Sequence, residues 1–153
     1  MIYQHTQPGW VVRIVISVCF LMTLITPLRI GLAREGLPGL ASLAPIGITL
    51  LILVLFHNLT VHLDSERLQV SFGIGLIVYT FLLKDIVSCS TVKSSWYNGW
   101  GIRKIRRGWL LNVSGYETVE IVLRSGKVYR IGTDDPSGLL SALESANAKN
   151  HNR

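Results

Sequence analysis

The sequence predicts an α+β protein, an N-terminal two-helix transmembrane hairpin followed by a small antiparallel β domain capped by a C-terminal helix. Three observations predict it. Two long apolar runs fill the region up to Phe56. Beyond Phe56 the apolar residues switch to alternation, the period of a half-buried strand. Near the end, Asp134-Asp135-Pro136 precedes leucines at helical spacing. Composition agrees: 49 % of residues are hydrophobic and 16 % charged, against about 25 % charged in soluble domains, and the mean hydropathy is +0.42.

The first run extends from Trp10 to Leu28 and is broken only by Arg13. One turn from the end, Arg13 can snorkel to an interface, and Trp10 suits an aromatic anchor. The second, Leu37 to Phe56, is free of charge. A helix of that length spans roughly 30 Å at about 1.5 Å per residue, the thickness of a hydrocarbon core. Pro38 falls in its first turn, and Pro45 is expected to kink it. Arg29 to Gly36 forms the polar link. A competing expectation is a secretory signal peptide cleaved at Gly31-Leu32-Ala33, which would leave the second run as anchor. Arginines flank both ends of the spans, so the charge rule for orientation is nearly tied. Asn58-Leu59-Thr60 and Asn112-Val113-Ser114 match the glycosylation triplet and are discounted as chance matches.

In the β domain, Leu59, Val61 and Leu63 share one strand face, and Leu68, Val70 and Phe72 repeat it after the turn Asp64–Arg67. Gly73 and Gly75 end that hairpin. Further strands are expected at Leu76–Leu83, Ile86–Val92 and Trp109–Val113, with a basic, tryptophan-bearing loop from Ser94 to Gly108 between the last two. Val119, Ile121 and Leu123 alternate up to Ser125-Gly126, and Val128–Ile131 returns. Asp135 can cap a helix whose first residue is Pro136, followed by Leu139, Leu143 and Ala146. The domains are therefore 1–56, a helical hairpin, and 57–147, the β domain, with a polar disordered tail at 148–153.

The stretch from Val119 to Leu139, with Gly126-Lys127 and Ile131-Gly132-Thr133-Asp134-Asp135-Pro136, resembles the end of bacterial pleckstrin-homology-like membrane proteins. Trp100-Gly101-Ile102-Arg103 and Asn112-Val113-Ser114-Gly115 add to the likeness, which covers residues 57 to 147. The resemblance implies a strand-rich barrel or sandwich with one closing helix, on a two-span protein integral to the membrane. The membrane expected is the bacterial inner membrane; the C-terminal domain is placed on the cytosolic side from the orientation of the spans, not from the resemblance. These motifs are turns and a cap, so the resemblance implies a binding or scaffolding module and no common ligand.

Candidate site residues cluster in one segment. Arg103, Lys104, Arg106 and Arg107 stand among Trp96, Trp100 and Trp109. Cations beside aromatics suit an anionic lipid surface or a phosphate; a solvated loop with tryptophans packed under the rim is the plainer alternative. Such patches also suit single-stranded nucleic acid, which a membrane tether disfavours. Lipid- or partner-binding is thus assigned to Arg103, Lys104, Arg106, Arg107, Trp100 and Trp109. His62 and Asp64, with His57 nearby, invite a metal reading, but no partner cluster accompanies them. Asp134 and Asp135 are explained by capping. The glycines at 73, 75, 99, 101 and 108 do not form a phosphate loop. Cys19 and Cys89 lie in different elements and form no disulfide framework or metal spacing.

The expected function is a non-catalytic, membrane-anchored module, without cofactor or metal, that engages a protein partner or itself. An anionic-lipid sensor is the first alternative, and an uncharacterised enzyme or accessory subunit the second. The net charge of +4 over residues 57–153, from 12 Lys+Arg against 8 Asp+Glu, fits the lipid alternative.

Overall fold

The computed structural model describes residues 2–30 and 43–151. Strand β1 (Tyr3–Pro8) leads directly into helix α1 (Trp10–Ile30), and helix α2 (Leu43–Phe56) leads directly into β2 (Asn58–Leu63). There follow β3 (Arg67–Phe72), β4 (Ile77–Leu82), β5 (Ile86–Lys93), β6 (Gly101–Ile105), β7 (Gly108–Asn112), β8 (Glu117–Leu123), β9 (Val128–Gly132) and helix α3 (Pro136–His151).

The expected α+β class fits this architecture, but two parts of the expected fold are corrected. Among the described residues, no helix is long and apolar enough to cross a membrane. The described part of helix α2 has 14 residues, about 21 Å at 1.5 Å per residue against a hydrocarbon core of about 30 Å. Helix α1 carries the charged Arg13 near its start. The transmembrane hairpin, the membrane and transmembrane-helix character, and the integral inner-membrane localisation with a cytosolic domain are therefore overturned. The cleavage alternative at residues 31–33, the rest of the polar link to residue 36 and the start of the second expected span at 37–42 lie outside the described residues.

The second correction concerns the barrel. The strands form two open sheets, a four-stranded one in the order β1-β2-β3-β4 and a five-stranded one in the order β5-β8-β9-β7-β6. They do not close, and β7 runs parallel to β9, so the second sheet is mixed and not wholly antiparallel. Two strands arise where the sequence reading places none. β1 pairs with β2 through polar residues, Tyr3 opposite Leu63 and Pro8 opposite Asn58. β6 forms inside the basic loop as the edge partner of β7.

The alternating residues do form the core. Leu59, Val61 and Leu63 of β2 and Leu68, Val70 and Phe72 of β3 are at most 2 % exposed. They meet Val119, Ile121 and Ile131 of the second sheet, and Leu139, Leu143 and Ala146 of α3 pack onto the same cluster. Burial of this kind contributes about 25 cal/mol per Å² of apolar surface. The α1 and α2 faces differ: Trp10, Ile14, Met22, Ile48 and Leu51 are all more than half exposed.

Helix α3 starts as the sequence predicts. The Gly138 N–H donates to Asp135 Oδ1 at 2.9 Å, with Pro136 at the first helical position. Tyr3 Oη donates to Asp135 Oδ2 at 3.1 Å, and His5 Nε2 meets Asp134 Oδ1 at 2.5 Å. The N-terminal strand is thereby tied to the C-terminal helix, which continues to His151, past the expected domain end at residue 147.

The Gly138 N–H, and after it the Tyr3 hydroxyl and His5, hold the Asp135 carboxyl below the usual carboxylate range. A depressed carboxylate stabilises the fold above its unfolded pKa of about 3.9, and that stability is lost as pH falls through the lower folded value. Asp135→Ala is expected to cost about 1 kcal/mol at pH 7. Its denaturant-unfolding profile should also lose part of the wild-type decline below about pH 4. An acid limb identical to wild type would show that Asp135 does not act as the cap.

Candidate functional site

The site is built on the β6–β7 hairpin and on the way two helices are set beside it. Because β1 and β2 are neighbours, α1 leaves one and α2 enters the other at the same end of the sheet. Gly9 N–H and Arg13 Nε both donate to the His57 carbonyl, at 2.9 and 3.2 Å. The Phe56 ring meets Phe72 edge-on at 5.5 Å. α1 and α2 pack along each other and face the segment leading into β6.

That segment turns sharply. After the 3₁₀ turn Trp96–Asn98, Gly99 and Gly101 both take left-handed φ, 66° and 97°, on either side of Trp100. The Arg103 side chain folds back over the first: a Cβ at Gly99 would stand 3.2 Å from Arg103 Cζ. Between this segment and the helices lies a cleft of about 510 Å³, lined by Val12, Val15 and Ile16 of α1, Ile52 and Phe56 of α2, and Trp100, Ile102 and Arg103.

The strand period separates the four sequence-predicted cations. Ile102 pairs with Leu111 and Lys104 with Trp109, and Leu111 belongs to the core. Lys104 and Trp109 therefore lie on the core-side face at the far end of the hairpin. Arg103 pairs with Leu110 on the opposite face, Leu110 with Arg130 of β9, and Arg130 with Glu120 of β8. Arg130 Nε donates to Glu120 Oε2 at 2.7 Å, the charges neutralising each other. Arg106 and Arg107 form the hairpin turn. Among the described residues, no carboxylate is paired with Arg103, Lys104, Arg106 or Arg107. Trp100 sits 6.4 Å from Tyr116, centroid to centroid, and Trp109 is 41 % exposed. Of the predicted residues, the structure brings only Arg103 and Trp100 to the cleft.

The other polar groups go to structure. Asn112 accepts the Ser114 N–H and donates to the Gly115 carbonyl, both at 3.1 Å, fixing the turn after β7. His57 Nδ1 bonds the Val54 carbonyl at 3.0 Å. The Ser65 N–H, 2.9 Å away, is the main cause holding the Asp64 carboxyl below its ordinary value. Among the described residues, no three His, Cys, Asp or Glu side chains converge as metal ligands. Burial, and after it Glu144, push the Cys89 thiol upward, away from reactive thiolate. The helix residues of the cleft escape a sequence reading because they are remote from β6 in the chain; the paired glycines around Trp100 are the one local signal of a constrained turn. No protein-family model matches this chain, and no curated protein matches it.

Proposed function

We propose that the protein is a non-catalytic binding module that engages anionic lipid head groups through the β6–β7 hairpin. The observation that carries this reading is the set of four cations on one edge hairpin, Arg103, Lys104, Arg106 and Arg107, which have no carboxylate partner among the described residues. Elsewhere in the same sheet, the half-buried cation Arg130 is neutralised by Glu120. Unpaired guanidinium groups retain their donors for phosphate oxygens, which they bind in charge-assisted, often bidentate bonds. Trp109 and Trp100 add amphipathic rings of the kind that favours a lipid–water boundary. The resemblance to bacterial pleckstrin-homology-like proteins is consistent with a binding role. A non-catalytic reading is supported by where the acidic groups go: Asp135 and Asp134 are engaged by Gly138, Tyr3 and His5.

The test is binding of the full chain to phosphatidylglycerol-containing vesicles and to neutral vesicles, with the Arg103→Ser, Arg106→Ser, Arg107→Ser triple variant alongside. Each basic residue near an anionic surface contributes about 1 kcal/mol. The triple variant is expected to lose affinity for anionic vesicles on the order of a hundredfold, with unchanged circular dichroism and unchanged binding to neutral vesicles. Equal binding by a folded triple variant would overturn the reading and turn attention to a protein partner. Loss of secondary structure in the variant would make these residues structural, which equally contradicts it.

A further inference from the structure

We infer that the cleft behind Arg103 takes the alkyl chain of a single-chain anionic amphiphile, with the anionic head on the Arg103 guanidinium. This rests on the reading of the hairpin as an anion-facing surface and adds a second, chain-binding component to it.

Four features of the cleft point to that ligand class. Its walls are aliphatic, contributed by Val12, Val15 and Ile16 on one helix and Ile52 on the other, and among the described residues no carboxylate lines it. The α1 lining begins at Val11 and ends at Ile16, a rise of about 7.5 Å and so more than one helical turn. The volume of about 510 Å³ falls inside the range of roughly 300–1,000 Å³ for small-molecule sites. Among the described residues, the single charged group on the lining is Arg103, which strand alternation has separated from Lys104 and which has no ion-pair partner there.

These features exclude simpler occupants on physical grounds. A free phosphate would satisfy Arg103 and leave the apolar walls wet. A neutral hydrocarbon would fill the walls and leave the exposed Arg103 guanidinium without a counter-charge. An anion with one attached chain satisfies both. Gly99 is part of the device: its positive φ and lack of a side chain let the guanidinium lie across the turn. The other three cations lie away from the lining, free to face an extended anionic surface while Arg103 holds one molecule.

The experiment titrates the full chain with alkyl phosphates of two, eight, ten and twelve carbons, each below its micelle-forming concentration, and with dodecanol, following heat and tryptophan fluorescence. Saturable binding at one site is expected. Its affinity should rise roughly two- to fourfold per added methylene until the cleft is full. Arg103→Gln should weaken dodecyl phosphate about tenfold or more and leave dodecanol unaffected. Ile52→Trp, which fills the cleft from α2, should abolish the chain-length dependence. Ethyl phosphate binding as tightly as dodecyl phosphate, through Arg103, would overturn the chain site while preserving the anion-facing surface. Dodecanol binding as tightly as dodecyl phosphate would also overturn it, leaving a purely apolar pocket. No binding of any alkyl phosphate, with anionic vesicles still bound by the wild type, would remove the cleft from the account and leave only the hairpin. Loss of both would end both readings. The chain-length series on the wild type stands even if Ile52→Trp does not fold.

Discussion

Gly73→Ala is expected to lower stability by roughly 2–4 kcal/mol, a large loss for the addition of one methyl group. Gly73 sits where the β3–β4 turn presses against the last turn of α2, with φ at +55° and its N–H donating to the Asn58 carbonyl at 3.0 Å. A Cβ there would run into the carbonyl oxygens of Val54 and Leu55. Backbone atoms at a helix end cannot step aside as a side-chain tip can. The left-handed conformation costs a side-chain-bearing residue about 1–2 kcal/mol, and overpacking adds about 1–3 kcal/mol. In a chain of this size each kcal/mol moves the thermal midpoint by about 2–4 °C, so a fall of roughly 10 °C is expected in a calorimetric or circular-dichroism melt. Gly75→Ala is the control. Its φ is +86°, yet nothing stands within 4 Å of the added Cβ, so only the backbone cost should show. Equal losses at the two positions would mean that the turn does not bear on α2.

Phe72→Ala is expected to cost about 3–5 kcal/mol, the range for removing a fully buried phenylalanine. Phe72 is completely buried and is among the largest fully buried side chains of the core. It also receives the edge of Phe56 from α2, and Phe56 lines the cleft. The substitution therefore opens a cavity in the core and loosens the support of one cleft wall. Denaturant unfolding should show the loss as a shifted midpoint with an unchanged slope. A cost below about 1 kcal/mol would mean that the two sheets pack without this ring.

How much of this could be read from the residues differs element by element. Strands β2, β3, β8 and β9 were legible because one buried face imposes strict alternation, and the start of α3 because capping chemistry is local to Asp135 and Pro136. β1 was not: its sequence, YQHTQP, has no apolar alternation, and it becomes a strand only because β2 offers a free edge. β6 was hidden for a similar reason, its cations and glycine reading as loop until β7 supplies a partner. The parallel pairing of β7 with β9 is a matter of topology, invisible to periodicity. The membrane-spanning expectation sums apolar content along the chain, whereas among the described residues no helix is long and apolar enough to cross a membrane. The candidate site was half legible. Charge and aromatics picked out residues 100–109, but alternation then divides Arg103 from Lys104. The apolar half of the cleft comes from helices that only the β1–β2 pairing brings alongside.

If the cations of the β6–β7 hairpin engage anionic lipid head groups, vesicle binding depends strongly on salt. The full chain would be bound to anionic vesicles at 0.1 M and at 1 M sodium chloride, where the Debye length falls from about 10 Å to about 3 Å. Most of the binding is expected to be lost at the higher salt, with neutral vesicles insensitive to the change. Binding to anionic vesicles that is equally strong at both concentrations would contradict that engagement, since contact would then be apolar and the four cations incidental.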